Sequence, residues 1–238
     1  MSGKTNGHVW EVLCELRFSG SPSLPAGVIL PGYLFPLLKT EKLVSTIEAL
    51  PHAVIPLQMR ESDDNLRYLT THRMVGENGF LAAMGDHAVS VSITRDYEGW
   101  LDLRAKAERV FKHALASEAL GTIERVSIKY LNLFPSGMGE NQFSLINASI
   151  RLGSRSLTTE PTQLQYEFKV GNVTALIKIV AQAALQGQTG TKARGTGLIL
   201  DMDLIVIRPH EGIDDIISSL DEAHQRANEV YQDISGIK

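Results

Sequence analysis

The sequence predicts an α+β protein in which a curved antiparallel sheet is covered by two long helices. Apolar and polar residues alternate, as they do in half-exposed strands, in "HAVSVSIT", "ERVSIKYLNLF" and "LDMDLIVI". The apolar period then lengthens to that of a helix in residues 95–117 and again in residues 213–235. Runs of strands that are each followed by a helix are typical of α+β folds rather than of parallel α/β folds.

One hairpin is predicted with a specific register. The segments "QLQYEFKV" and "VTALIKIV" are separated only by Gly171-Asn172, and a two-residue loop of this composition is typical of a tight β-hairpin. The turn places Val170 opposite Val173, and three further apolar pairs follow on the same face. Turn chemistry and hydrophobic pattern therefore predict the same alignment of the two strands.

The order of the elements leaves two organisations open. The chain forms either one compact domain over residues 1–238 or two pseudo-repeated halves, 1–118 and 119–238, each with strands closed by a helix. The proline- and glycine-rich stretch 19–32 is interpreted as a surface loop. A short helix at 34–38 and an extended segment at 43–47 follow it in our interpretation.

Composition indicates a cytoplasmic protein that is not built for nucleic acids. The chain has 238 residues, of which 43% are hydrophobic, and a formal net charge of −4, whereas nucleic-acid binding depends on a basic excess. We identify no signal peptide and no apolar run long enough to cross a bilayer. The single cysteine, Cys14, shares a predicted strand face with Trp10 and Val12, and we interpret it as a core residue rather than a nucleophile.

The most enzyme-like spacing lies in "LDMD". Asp201 and Asp203 are two residues apart on a predicted strand, so both carboxylates point to one face, where they would bind a divalent cation or share acid and base roles. His224 lies on the apolar stripe of the last helix and is the candidate to join them as a base or ligand. In the alternative interpretation these residues have structural roles only: the aspartates lie on the more solvent-exposed face of the sheet, and His224 lies in the core with one hydrogen bond.

The stretch "GQTGTKARGTG" is interpreted as a flexible loop between strands. It lacks the spacing of a Walker A phosphate loop and leads into a strand rather than a helix. Lys192 and Arg194 in this loop are candidate contacts to a partner. The sequence contains no dinucleotide fingerprint or cysteine pair for a metal, so we expect no cofactor.

Several stretches together resemble a sporadically distributed, functionally uncharacterised family of prokaryotic proteins of about this length. The similar stretches are "VLCELRF", "YEGWLDLRAKAERVF", "IERVSIKYLNLF", "LDMDLIVI" and "LDEAHQRANEVYQDI". Lys129 to Asn132 stand where the family has Arg-Tyr-Ile-Asn, and the lysine in place of arginine removes a bidentate donor. The patchy distribution of the family is typical of genes carried with defence islands or toxin–antitoxin pairs.

The resemblance also bears on two structural residues. An asparagine follows the tyrosine in the family pattern, and here Asn132 falls in an apolar strand row, where an unpaired amide costs about 1–3 kcal/mol. We expect its amide to clamp the turn "FPSGMG" that follows the strand, with a ligand contact as the second interpretation. Trp100, which occupies the tryptophan position of the helix start, is assigned a structural role in the helix stripe.

These observations favour binding over catalysis. We expect a protein-binding partner, as in a defence-associated or antitoxin-like accessory protein, and no membrane or nucleic-acid partner; homo-oligomerisation is left open. The first alternative is a metal-dependent or acid–base enzyme centred on Asp201, Asp203 and His224. The second alternative is a small-ligand or lipid pocket between the sheet and the last helix.

Overall fold

A nine-stranded antiparallel sheet forms the centre of the protein in the computed structural model, which describes residues 8–20, 25–186 and 194–236. Its strands in chain order are β1 (Val9–Gly20), β2 (Thr46–Ala49), β3 (Thr70–Val75), β4 (Phe80–Gly85), β5 (Ala88–Ile93), β6 (Leu120–Pro135), β9 (Thr162–Val170), β10 (Val173–Gln186) and β11 (Arg194–His210). The short strands β7 (Ile150–Leu152) and β8 (Arg155–Leu157) pair only with each other. The order across the sheet is β2-β3-β4-β5-β1-β6-β11-β10-β9.

Three long helices lie against one face of this sheet: α1 (Ala26–Thr40), α4 (Trp100–Ala116) and α5 (Gly212–Ser235). Two short helices, α2 (Leu57–Ser62) and α3 (Asp64–Arg67), precede β3. The main core joins the apolar stripes of α1, α4 and α5 to alternate residues of the central strands, such as Val12, Ile128 and Leu204. The α+β class and the antiparallel sheet are therefore confirmed, and the sheet of the described residues is not closed into a barrel.

The expectation of two covering helices is not confirmed, because α1 is a third long helix. The stretch that we interpreted as a loop followed by a short helix forms one helix of 15 residues, with Pro31 and Pro36 inside it. Leu30, Leu34 and Leu38 are fully buried at helical spacing, whereas neither proline is buried. Burial of a leucine contributes about 1.5–3 kcal/mol, so this stripe offsets the local cost of the prolines.

The predicted hairpin is confirmed residue by residue. Val170 pairs with Val173, and the three apolar pairs that follow have the expected register, through Ile179 opposite Leu164. Gly171 adopts a φ of 62°, which the tight turn requires and glycine accommodates without strain. Because turn and pattern specify the same register, this part of the sheet was fixed by local sequence.

The two halves of the sheet repeat one strand order. In the first half β1 pairs with β5, and β4 and β3 follow outward; in the second half β6 pairs with β11, and β10 and β9 follow outward. Each half then ends in a long helix, α4 or α5, and β1 pairs antiparallel with β6 at the junction. The sheet is continuous across the junction, while a duplication of the halves stays a prediction.

A bulge in β1 corrects the predicted position of one tryptophan. The pairing of β1 with β6 shifts between Val9 and Glu11, so Trp10 is the extra residue and no longer follows the alternation of Val12 and Cys14. Trp10 packs with Leu133 and Ile199 on the other side of the sheet, whereas Cys14 is fully buried in the main core as expected.

The sheet face away from α1, α4 and α5 is called the open face. Strand alternation assigns to it the residues that lie between the core residues of each strand. At the centre of the sheet these are Leu13, Glu15 and Arg17 on β1, Arg125, Ser127, Lys129 and Leu131 on β6, and Asp201, Asp203 and Ile205 on β11. A second apolar cluster on this face contains no residue of a described helix.

Candidate functional site

The proposed acid–base group of Asp201, Asp203 and His224 is not assembled. Asp201 bonds Lys129 and His224 bonds Tyr130, and these two neighbours on β6 point to opposite faces of the sheet. The two aspartates therefore lie on the open face, whereas His224, a residue of α5, lies on the helix side. Consecutive strand residues cannot bring their side chains to one site, so the enzyme alternative loses the geometry on which it rested.

His224 belongs instead to a group that we call the histidine cluster, formed by Tyr97, Trp100, Tyr130, Asp221 and His224. The Trp100 and His224 rings stack with centroids 4.6 Å apart. An amide N–H of Asn228 donates to Nε2 of His224 at 3.1 Å, so the neutral ring carries its proton on Nδ1 and donates it to the Tyr130 hydroxyl at 2.8 Å. Both ring nitrogens of His224 are therefore paired.

The pKa values of the groups in the histidine cluster favour a structural role over a role in proton transfer. Burial lowers the pKa of His224 to about 4, and the nearby Asp221 carboxylate opposes that shift only in part. Burial also raises the pKa of Tyr97 to about 12 and that of Tyr130 well above its usual value. A general acid or base works best with a pKa near the operating pH, and none of these three groups has one.

Hydrogen bonds to the Asp221 carboxylate join α4 to α5. The indole N–H of Trp100 donates to Asp221 at 2.8 Å, and Nε of Arg104 donates to the same carboxylate at 3.0 and 3.1 Å. Trp100, to which we assigned a structural role, thus connects the first turn of α4 to the middle of α5.

The open face carries a second group of charges, the acid–base array, which consists of Arg125, Lys129, Asp201 and Asp203. Arg125 donates to Asp203 at 2.7 Å and Lys129 donates to Asp201 at 3.3 Å, so each cation bonds an aspartate of the neighbouring strand. Each aspartate uses only its Oδ2 atom in these bonds. The two Oδ1 atoms and Nε of Arg125 are buried and have no hydrogen-bond partner within the described part of the chain.

Burial raises the pKa of two carboxyl groups on this face. One is Asp201, where the positive charge of Lys129 works against the shift, and the other is Glu11 on β1, the strand on the far side of β6. The side chain of Asp203 is 13% exposed and that of Asp201 is 22% exposed. A carboxylate in this setting gains from any further donor that reaches its unpaired oxygen.

An apolar cluster borders the acid–base array on the open face. It contains Trp10, Leu131, Leu133, Val180, Ala183, Leu185 and Ile199.

Beyond this cluster β10 and β11 continue as a two-stranded extension, in which Arg194 pairs with Gln186. Gly195 allows this extension to approach closely, because a Cβ there would overlap the Leu133 side chain. Arg194, a candidate partner contact, therefore begins β11 beside the apolar cluster, and Lys192 lies outside the described residues.

Asn132 makes a different bond from the one expected. Its amide donates to the carbonyl oxygen of Leu200 at 3.2 Å, directly across the β6–β11 pairing, and it is 1% exposed. The amide does bond a backbone carbonyl, but the predicted clamp on the following turn is wrong. The Glu140 carboxylate holds that turn by accepting from Ser136 Oγ and from the backbone N–H of Gly137.

Sequence reasoning missed several residues of these sites. Asp221 and Arg104 carry no motif of their own, and Tyr130 was singled out only as the tyrosine of the Arg-Tyr-Ile-Asn position. The available signal was the resemblance, because its tyrosine–tryptophan helix start, its tyrosine strand and its histidine helix supply most of the histidine cluster. Arg125 stands in the polar row of its strand, and the strand pairing that gives it Asp203 was not predictable locally.

Within the described ranges, no group of three or more histidine, cysteine, aspartate or glutamate residues has a geometry that would hold a metal ion. No described helix combines the length and apolar character that a bilayer crossing needs. Comparison with protein-family models and with curated proteins finds no match to this chain.

Proposed function

We propose that this chain is a binding protein that holds a segment of another protein on the open face of its sheet. The observation that carries the proposal is the pair of buried, unpaired Oδ1 atoms of Asp201 and Asp203 beside the apolar cluster. Buried polar atoms in native proteins have partners in the great majority of cases, so two unpaired oxygens beneath the open face indicate a missing partner.

The expected contact of the partner is a cationic side chain. Asp201 and Asp203 are two residues apart on β11 and share one face, and their side chains are 22% and 13% exposed, so one guanidinium or ammonium group can contact both carboxylates. An arginine fits best, since its planar donors bond carboxylates in two directions at once. Burial, which raises the pKa of Asp201, increases the gain from such a contact.

The apolar cluster supplies the second half of an interface. Protein interfaces combine an apolar centre with a few buried polar anchors, and Trp10 and Leu131 lie beside the array that contains Asp201. An aromatic or aliphatic residue next to the arginine of the partner would contact this cluster.

The charge balance of the open face argues for protein rather than nucleic acid as the partner. Near the centre of that face both signs of charge are interspersed: Arg17, Arg125, Lys129 and Lys178 lie among Glu11, Glu15, Asp201 and Asp203. A nucleic-acid site would need a positive excess. The defence-associated or antitoxin-like role that the resemblance implies is one setting in which the ligand is another protein.

The two alternatives receive less support. Catalysis by Asp201, Asp203 and His224 would need the three to meet, and the sheet separates them. The small-ligand or lipid pocket stays a prediction that no described contact favours, because the layer between sheet and helices is filled by fully buried side chains such as Leu103, Ile128 and Leu220.

A selection from random phage-displayed peptides tests the proposal without a known partner. Peptides enriched on the protein should share an arginine or lysine next to an apolar residue, and the affinity of one synthetic peptide is then measured by fluorescence polarisation. The D201N/D203N variant should bind about tenfold more weakly or worse, since each charged hydrogen bond contributes about 1.5–3 kcal/mol. Affinity capture from the native cell then identifies the protein that contains the motif.

The matched control is D214N/D233N, which removes the same two charges from exposed positions of α5. It should bind the peptide as the unmodified protein does. The proposal is wrong if no peptide is enriched, or if D201N/D203N keeps full affinity while its thermal unfolding matches that of the control.

A further inference from the structure

The edge strand β9 is the longest unpaired strand edge of the described sheet. It is the last strand of the sheet order and extends over nine residues, whereas the opposite edge strand β2 has only four. All of its residues are exposed or half-exposed. An edge of this length presents backbone donors and acceptors that pair readily with another strand.

The hairpin turn determines which backbone groups of β9 are free. Val170 and Val173 flank a two-residue loop, so they exchange hydrogen bonds, and the even-numbered residues of β9 point their backbone groups toward β10. The backbone N–H and C=O groups of Gln163, Gln165, Glu167 and Lys169 therefore point to the outer edge. An additional strand would bond at these odd-numbered positions.

The side chains of β9 also include exposed apolar residues and charges without ion partners. On the helix side of the sheet, Leu164 and Tyr166 are each 37% exposed, and the rings of Tyr166 and Phe168 stack with centroids 5.6 Å apart. On the other side, Glu167 and Lys169 form no ion pair within the described residues. The edge thus offers an aromatic row on one face and two opposite charges on the other.

We propose that a second copy of this chain pairs antiparallel with β9 about a two-fold axis at Phe168. In this register Glu167 lies opposite the partner's Lys169, and Lys169 lies opposite the partner's Glu167, so the two-fold axis generates two ion pairs at outward, hydrogen-bonding positions. Phe168 faces the partner's Phe168, and Tyr166 faces the partner's Val170. The two sheets then form one continuous sheet with both helix layers on the same side.

The pairing of Glu167 and Lys169 distinguishes this register from registers with the two-fold axis at a neighbouring residue. A shift by one residue is excluded, since it would bring helix-side residues opposite open-face residues. An axis at Glu167 would oppose the two glutamates, and an axis at Tyr166 would oppose Glu167 to a glutamine. Only the axis at Phe168 pairs both charges of β9 with opposite charges. This inference rests on the edge of the sheet and is independent of the function proposed for its open face.

Charge reversal tests the register with variants that leave the buried core untouched. The unmodified protein should sediment as a dimer, whereas E167K and K169E should each sediment as a monomer, because like charges then face each other twice. The double variant E167K/K169E should recover the dimer. Circular dichroism of each variant confirms that the fold is intact.

Mixing the two single variants provides the most specific readout. The E167K chain is positive at both positions and the K169E chain is negative at both, so an equimolar mixture should form a heterodimer that neither variant forms with itself. Matched reversals E118K and K42E at exposed positions away from β9 should leave the dimer unchanged. A monomeric unmodified protein at about 100 μM, or a dimer that is indifferent to both reversals, would overturn the proposal.

Discussion

The stability of the protein should depend on the protonation of His224. Burial lowers the pKa of this ring from 6.5 to about 4, and both of its nitrogens are paired in the neutral form. The facing groups are the hydroxyls of Tyr130 and Tyr97, the Trp100 ring and the Asp221 carboxylate, which is held by Arg104. We expect the unfolded chain to take up a proton at this position well before the folded chain does.

The sign and size of the effect follow from proton linkage. Well above pH 6.5 the ring is neutral in both states and contributes no pH dependence. As the pH falls from 6.5 towards 4 the unfolded state is protonated first, so the free energy of unfolding decreases. At pH 5 the two pKa values give a loss of about 2 kcal/mol, and the partial exposure of the ring reduces the expectation to about 1 kcal/mol.

The assay is urea unfolding of the unmodified protein and of H224Q at pH 7.5 and at pH 5.0. Between the two pH values the unmodified protein should lose about 1 kcal/mol more than H224Q, whatever their relative stabilities at pH 7.5. The N228A control keeps the imidazole and should keep the pH dependence. Equal losses in the unmodified protein and H224Q would refute the account of His224 as a buried neutral ring.

Three further outcomes test other parts of the fold. R60A should lower the free energy of unfolding by about 3–5 kcal/mol in urea titrations, because it leaves the carboxylate of Asp86, whose side chain is 3% exposed, buried without its ion partner. G197A should destabilise the protein by about 1–3 kcal/mol or more in the same assay, since φ is 152° there and a Cβ would overlap the Phe134 carbonyl oxygen. The thiol of Cys14, whose pKa is raised by burial, should resist alkylation in the native protein and react fully in denaturant, as measured by mass spectrometry.

Elements that depend on neighbouring residues were predictable from sequence. The hairpin at Gly171-Asn172 needed only a turn and two alternating strands, and the structure has the predicted register. The stripes of α4 and α5 were also evident, because their apolar residues recur at helical spacing over several turns. In each case local propensity and the tertiary fold agree.

Contacts between distant segments decided the features that sequence did not predict. The helix α1 contains two prolines, and only the burial of its leucine stripe against β3, β4 and α4 explains why it forms. The bulge at Trp10 exists because β1 pairs with β6, more than 100 residues later. For the same reason the partner of His224 was not predictable: the ring bonds Tyr130, which lies 94 residues earlier in the chain.

Buried polar atoms without a hydrogen-bond partner occur in several parts of the described chain, and three of them lie together on the open face. On the helix side both nitrogens of His224 are bonded and the Asn132 amide has its carbonyl partner, whereas Nδ1 of His210 has none. On the open face Asp201, Asp203 and Arg125 each retain a buried polar atom without a partner in the described residues. Ion pairs at the centre of a sheet lose hydration that apolar pairs would not lose, so folding stability alone gives little reason for them. The ligand that we propose for the open face would account for them, since a cation bound at these carboxylates would offset the hydration energy that they lose on folding.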